Sequence, residues 1–536
     1  MQTSTPKKLE HIIVGAGAAG CAAAKCFAIC GSAHTTLWLE QHSEPGGSAG
    51  YFARGQPRRS FDAGATQLIE CREGQLQSML YSLAPSESQI PSAQLFEQIT
   101  SITQHWPADS VRIKLVANGT CEWLSDRAPT PYEQNELRAL ERFLSVCAAD
   151  AHWMWELMQN IPRFPLQSLS DILRALGLFL KIPFRKKIVL PLLMFRSART
   201  VMNKLQIKND GLANDIISGL LIDTTQSSPE KSPWLAAAMG VSILNRGIFR
   251  CRGGMRNYFR PFVSSFELRG GCYGPNQLIT QIATHPEGFL ITSRNVRSGN
   301  ISQYLATHSL ILNLTVWDML SDIIPKNDPL RATRVYKKWK KRCDNERGWG
   351  AFAIYALVTD NPLWTDAPQY HQVFPDSIEP DLIQSSLYVS IPSRDDPANP
   401  TGFRVLTATI HIDSNQQFSS ELKTQTTQLL VKRIERALNS TLSNVESATP
   451  STYARYTQRQ HGQVGGFQLS FKNFLFLALP SMVKHPLGKD TRLLLCGDTF
   501  FPGQGVIACS VSGIIAFERA CKVNFYRLIK QGKVIR

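Results

Sequence analysis

Residues 11–40, HIIVGAGAAGCAAAKCFAICGSAHTTLWLE, constrain this chain more than any other stretch. Residues 9–14 read as a short apolar strand, and Gly15-Ala16-Gly17-Ala18-Ala19-Gly20 follows without a gap. Next, CAAAKCFAIC reads as a helix of small residues that Gly31 is placed to stop. Residues 35–39 give a second strand and deliver Glu40 at its end. Each glycine has its own use: Gly15 for the tight turn, Gly17 for close approach of a pyrophosphate, and Gly20 for packing helix on strand. The helix N-terminus offers unpaired N–H groups and partial positive charge to phosphates. Nineteen residues separate Gly20 from Glu40, the usual reach for a carboxylate that accepts from a ribose diol. Its charge would repel a 2′-phosphate, which disfavours NADP. The unit therefore predicts a Rossmann-type dinucleotide site in which Gly15, Gly17, Ala18, Ala19, Gly20 and Glu40 take part.

A chain of 536 residues is too long for one simple core, so intergrown domains are expected. The net charge of +16 suggests an anionic partner, whether nucleic acid, acidic substrate or an anionic membrane surface; the alternative is a basic, well-solvated surface. No nucleic-acid module is present and the basic residues are dispersed, so nucleic acid is not the expected partner. The twelve cysteines form no CxxC pair and no Cys/His cluster at zinc spacing, which predicts buried free thiols, a reducing compartment and no metal. Residues 1–10 run straight into the first strand, leaving no room for a secretory signal. No apolar run of about 18 residues occurs, so no spanning helix is expected.

After Glu40 comes Gln41-His42-Ser43-Glu44-Pro45-Gly46-Gly47-Ser48, whose paired glycines predict backbone lying against a ligand. A nicotinamide-only domain does not need this loop. FAD does, because the longer cofactor continues past the second strand. Residues 61–67, FDAGATQ, read as a strand ending in a small-residue turn, Gly64-Ala65-Thr66-Gln67, placed where a flavin ring would meet substrate. Residues 133–158 read as a helix whose Trp153 and Trp155 belong to a core. Within 161–206, long apolar stretches adjoin Lys181, Arg185, Lys186, Lys187, Arg196 and Arg199. The apolar runs are too short and proline-broken to span a bilayer. Apolar surface beside Lys and Arg is what an in-plane membrane helix needs; the alternative is a pair of core helices with a solvated loop.

Residues 256–271 read as a helix with a glycine stop, and residues 272–293 as a strand, a hairpin and a return strand, with Ile279 beside the adenine. Residues 309–316 read as another buried strand. Strands are expected at 351–359, 386–391 and 405–412, a helix at 420–439, and a polar, aromatic loop at 449–470. His461 in that loop is read as structural. At the other end, residues 491–496 read as a strand, followed by Gly497-Asp498-Thr499 and Gln504-Gly505-Val506 at the start of a helix. Asp498 can accept from ribityl hydroxyls, and residues 504–506 bring a helix N-terminus to the flavin N1–C2=O edge. Its partial charge favours the anionic reduced ring.

Together, VGAGAAG, LEQHSEPGGSAGYF, FDAGATQ, the turn at Gly253, NLTVW near Asn313, TPSTYARYTQRQHGQVGG and CGDTFFPGQGVIACSVSG resemble the FAD-dependent carotenoid desaturases and carotene cis-trans isomerases. The carotenoid 3′,4′-desaturase branch is nearest in pattern; Ser48 departs from the Cys or Arg that many relatives carry. The resemblance covers both ends and the meander, about half of the chain. It implies an α/β fold with an α+β substrate part: a Rossmann-type FAD-binding domain of the amine-oxidase/phytoene-desaturase type, with an interleaved substrate-binding domain. Residues 8–90, 246–320 and 485–530 would form the first, and 91–245 and 321–484 the second, with 161–206 a membrane-associating helical segment. Bound FAD would be held by the residues named above, including Gln41, Gly46, Gly47, Ser48 and Gly497.

The resemblance further implies peripheral attachment on the cytoplasmic side of a membrane. A carotenoid-like polyene would be desaturated by hydride transfer to flavin N5, with a quinone or oxygen taking the electrons. A polyene has no acidic proton or electrophilic carbonyl, so neither a triad nor a metal is expected, and no residue is assigned as catalytic. Three alternatives remain: an isomerase or saturase of the same family, an amine-oxidase-like flavoenzyme, and a non-enzymatic prenyl-lipid carrier like the GDP-dissociation inhibitors.

Overall fold

The structure, a computed structural model, describes residues 5–55, 59–86, 89–344, 346, 348–361, 364–376, 380, 382, 385–474 and 479–530, with no side chains described at 189–191, 472 and 474. Residues 1–4, part of the N-terminal expectation, and the side chains of 189–191 in the apolar-basic segment lie outside the described residues.

The strand Lys7–Val14 buries its last four residues and lies at the centre of an eight-stranded sheet. On one side it pairs in parallel with Thr36–Leu39, and on the other with Ile301–Leu312. The latter strand is longer than expected and stops at Leu312; Thr315 instead caps a short helix, Val316–Met319. Its outer edge is shared. The early residues pair with the antiparallel hairpin of Gln277–His285 and Gly288–Asn295, and the last four pair in parallel with Arg492–Leu495. Because the chain leaves the central strand toward opposite edges, a crevice opens at the strands' carboxyl ends.

The helix Ala18–Ile29 covers one face of this sheet, buried from Ala19 onward, and packs against helices Met255–Glu267 and Val506–Cys521. Small residues are required there: a Cβ on Gly513 would sit 2.1 Å from the Ala19 carbonyl oxygen. The opposite face is covered by Val316–Met319 and Arg334–Cys343, and Met482–Lys484 adds an antiparallel strand to Arg492–Leu495. The Rossmann sheet thus draws on residues on both sides of position 320 and on 482–484.

A second eight-stranded sheet joins distant parts of the chain. Its run of Leu442–Ala448, Trp349–Thr359, Phe403–Asp413, Leu387–Ile391 and Gln369–Val373 continues into Ser101–Trp106, Val111–Val116 and Cys121–Trp123. The seam is parallel, with Thr103 opposite His371. Helix Ser420–Leu438 covers one part of it. Helices Pro131–Gln159, Leu212–Thr225 and Trp234–Val241 build a further core with its far strands.

The segment expected at a membrane forms helices Leu169–Lys181, Phe184–Met194 and Ala198–Lys204. The first is inside out relative to an ordinary surface helix. Its leucines at 169, 173, 176 and 180 face outward, Leu173 being 61 % and Leu180 74 % exposed, while Asp171 is fully buried. Phe184, Ile188, Leu192 and Phe195 continue the exposed apolar surface. Inside, Glu518 accepts from Arg163 (2.7 Å) and Arg174 (3.0 Å), and Asp171 accepts from Arg519 (2.9 Å). These buried ion pairs fix the helix to Val506–Cys521 with its leucines outward. Two of the six cations named from the sequence are paired internally, Lys186 with Asp150 and Arg199 with Glu230. No helix among the described residues is long and apolar enough to cross a membrane.

Candidate active site

The crevice of the Rossmann sheet holds an elongated cavity of about 930 Å³. Gly15, Gly17 and Ala18 line one wall, with Glu40 and Gln41 beside them. Gly15 has a φ of +90°, and a Cβ on Gly20 would lie 1.9 Å from the Gly15 carbonyl oxygen. The Gly46–Gly47–Ser48 loop folds directly onto this turn: Gly46 donates to the Ala16 carbonyl at 2.7 Å. Ile279, Gly64–Gln67, Asp498, Gln504, Gly505 and Val506 line it as well. Ala19, Gly20 and Gly497 do not line it. They are packing positions, and Gly497 lies against the Asn313 side chain.

Glu40 is buried, and its two carboxylate oxygens accept from the backbone N–H groups of Ala16 (2.5 Å) and His42 (2.8 Å). Burial raises its carboxyl above the ordinary range, and these backbone donors pull it back. Each oxygen keeps a lone pair, so acceptance from a diol remains open. Asp498 is different from expectation in one respect. Besides lining the cavity, its carboxylate is engaged by Arg459 at 2.8 Å. Arg459 also reaches the carbonyls of Gln463 and Gly465, tying that loop to the site. Among the described residues, four buried side-chain oxygens on the cavity wall have no partner: Ser48 Oγ, Gln226 Oε1, Tyr388 Oη and Gln504 Oε1. Unpaired buried oxygens are costly, and a polar ligand would satisfy them. A glycine cradle, a helix N-terminus and orphaned polar atoms therefore fit a dinucleotide.

The Gly64–Gln67 turn is clamped from the second sheet. Tyr355 and Tyr453 both donate to the Ala63 carbonyl, at 2.5 and 2.8 Å, and Tyr370 donates to the Thr66 carbonyl at 2.7 Å. Tyr453 belongs to a helix, Pro450–Thr457, where a loop was expected. The signal was present: Thr449 before Pro450 is an N-cap followed by proline at the first helical position. His461 is exposed and outside the cavity, as a structural reading implies. Sequence reasoning gave no role to Arg459, Asn313 or the tyrosine clamps.

A second cavity of about 810 Å³, with a mostly apolar wall, meets the first. The two share Gln67, Asp223, Tyr388, Asp498 and Gln504–Val506. From there the second cavity passes Trp153 and Trp155 and reaches Phe164, Leu178, Phe179 and Ile182. Phe164 and Phe179 are also exposed at the surface, on the segment that carries the outward leucines.

Residues 13–83 match the model of an NAD(P)-binding Rossmann-like domain. Over 96% of this chain and 84% of the relative, the sequence is 23% identical to prolycopene isomerase 2, chloroplastic, of an Oncidium hybrid cultivar. A similar match, 23% identical over 96% of this chain and 80% of the relative, is prolycopene isomerase of Daucus carota. The chain resembles the prolycopene isomerases. Among solved structures, a redesigned putrescine oxidase superposes with a TM-score of 0.59 at 14% identity, over 98% of this chain and all of that one. An oxidoreductase from Methanosarcina mazei gives 0.56 at 12% identity over 95% and 100%. The similarity to the isomerases spans both sheets and the inside-out helix; the shared fold with putrescine oxidase extends over the same range.

Proposed function

We propose that the protein is an FAD-dependent oxidoreductase acting on the double bonds of a carotenoid-like polyene drawn from a membrane. The observation that carries this reading is the junction of the two cavities. A largely apolar cavity reaches the exposed Phe164 and Phe179, on the segment that carries the outward leucines, and shares Gln67 and Gln504–Val506 with the dinucleotide cavity. Pockets of about 300–1,000 Å³ with few polar groups take largely apolar ligands. A thin polyene suits this channel better than a small polar amine. FAD is favoured over a nicotinamide dinucleotide because the cavity continues past the Gly46 loop to Asp498 and residues 504–506.

When bound, flavin supplies a hydride acceptor. The chain's own share is placement. Glu40 would take the ribose end, and the N-terminus of the 506–521 helix would meet the ring's polar edge. The tyrosine-clamped turn holds backbone against the ring, and the apolar walls keep water out. Desaturation is the leading reading, with a membrane quinone or oxygen as electron acceptor. The relatives' name supports a second, cis-trans isomerisation without net oxidation. The outward leucines, with Lys181, Arg185, Lys187 and Arg196 nearby, support attachment to an anionic membrane surface. The free thiols support its cytoplasmic side.

The test is the visible spectrum of polyenes incubated with flavin-loaded protein in liposomes. A red shift means desaturation, loss of the cis band without a large shift means isomerisation, and a blue shift means saturation. No change with flavin bound would turn the reading to an amine-oxidase-like enzyme. Protein purified without flavin would turn it to a prenyl-lipid carrier.

A further inference from the structure

We propose that Asp223 is a catalytic residue, the group that exchanges a proton with the polyene where the two cavities meet. The inference rests on the polyene reading above and supplies the acid–base group that sequence left unassigned.

Asp223 lies near the end of helix Leu212–Thr225, within the otherwise apolar run Leu220-Leu221-Ile222. Asp223 lines both cavities, which places it where the apolar cavity and the cofactor end meet. Neighbouring elements position it. Gln372, on Gln369–Val373, directs its amide at Asp223 Oδ2 (3.4 Å) and is itself held by Ser386 Oγ (3.1 Å). The helix comes this close because position 219 is glycine; a Cβ there would lie 2.5 Å from Gln372 Nε2. From Phe403–Asp413, His411 places Nδ1 3.7 Å from Asp223 Oδ1, too far for a hydrogen bond. From Leu387–Ile391, Tyr388 lines both cavities with a buried hydroxyl that has no partner. Asp498 is the other carboxylate at the junction, and Arg459 neutralises it.

Among the described residues, none gives Asp223 a compensating cation. Burial alone pushes its carboxyl up to about 8, while burial holds His411 down at about 4 and therefore neutral. The carboxyl is thus protonated near neutral pH and able to donate, and its conjugate base is strong enough to take a proton back.

In isomerisation the step balances without an oxidant. The Asp223 O–H bond breaks as the π pair of one C=C forms a C–H bond, leaving a cation delocalised along the polyene. The former double bond rotates. Its new C–H bond then breaks, the electron pair re-forms the π bond, and the proton returns to Asp223 Oδ. In desaturation only the last step would operate: were hydride passed to a bound flavin, the Asp223 carboxylate would take the neighbouring proton.

The experiment uses full-length, flavin-loaded protein in liposomes with the polyene that wild type converts, comparing wild type, Asp223→Asn and Asp223→Glu. General acid–base groups contribute about 10²–10⁴-fold. Asp223→Asn is expected to slow conversion at least a hundredfold with flavin content unchanged, and Asp223→Glu to restore part of the rate with a displaced pH profile. A readout independent of turnover is the infrared difference spectrum between pH 6 and pH 10. Wild type should lose a protonated-carboxyl C=O band that Asp223→Asn lacks. Should Asp223→Asn fail to fold, wild type alone still decides. A kcat profile with no ionisation between pH 7 and pH 9 overturns the proposal, as does an asparagine variant within threefold of wild type. Those outcomes leave the polyene reading standing. Wild type that binds flavin but converts no polyene overturns both.

Discussion

The outward leucines of helix 169–181 give the most direct test of how this protein meets its substrate. Leu173 and Leu180 stand seven residues apart on one face and are 61 % and 74 % exposed. Burying a whole leucine side chain is worth about 1.5–3 kcal/mol. The two exposed fractions amount to rather more than one leucine, so inserting them into lipid contributes about 2–4 kcal/mol. At 1.4 kcal/mol per decade, Leu173→Gln with Leu180→Gln should weaken partition into vesicles by about thirtyfold to several hundredfold. Cosedimentation with vesicles containing anionic lipid measures it. The urea midpoint should not change, because neither side chain supports the interior. Replacing anionic with zwitterionic lipid should weaken wild type further, by about 1 kcal/mol for each cation at the surface. Partition within threefold of wild type, with folding intact, would falsify the assignment of this face to lipid.

Other substitutions probe the interior and the cofactor site. Glu518→Gln leaves Arg163 and Arg174 without their buried partner and should destabilise the protein by about 3–5 kcal/mol in denaturant titration; a change under about 1 kcal/mol would mean that the network is not what holds the helix. Glu40→Ala and Asp498→Ala should each lower flavin retained through gel filtration, and full occupancy in both would show that these carboxylates do not hold the cofactor. Lys25 is buried between the Ala84 carbonyl and Ser265, and burial lowers its ammonium to about 7. The folded state then binds fewer protons than the unfolded chain between about pH 7 and the ordinary lysine range, so Lys25 makes stability rise with pH there, by about 1.4 kcal/mol per unit. Lys25→Met should remove that rise, and an unchanged slope would contradict the burial argument.

The Rossmann unit was legible because its determinants are local. Strand, glycines, helix and acid fall within thirty residues, and each glycine's reason is a contact inside the same turn. The terminal motif was legible for the same cause. What eluded the sequence depends on distance along the chain. The parallel seam between 101–106 and 369–373 has no local signature, since each strand alone is compatible with any neighbour. Asp171 and Arg174 could be seen as charges in an apolar segment. Their partners Arg519 and Glu518, 348 and 344 positions away, could not. Without them the sequence leaves two readings open, an in-plane membrane helix with its leucines outward and a core helix with its leucines inward.

That inversion explains how the site can be supplied. A channel whose substrate is insoluble in water needs its entrance at an apolar surface, and an apolar surface on a folded protein must be prevented from turning inward. Buried ion pairs do this because they are specific in orientation: rotating helix 169–181 to hide its leucines would strand Asp171 and Arg174 away from Arg519 and Glu518. Unpairing buried charges costs about as much as hiding two or three leucines gains. The same helix, 506–521, carries Glu518 and Arg519 near one end and the Gln504–Val506 turn at the other. One helix therefore links the anchor of the outward leucines to the point where the two cavities meet.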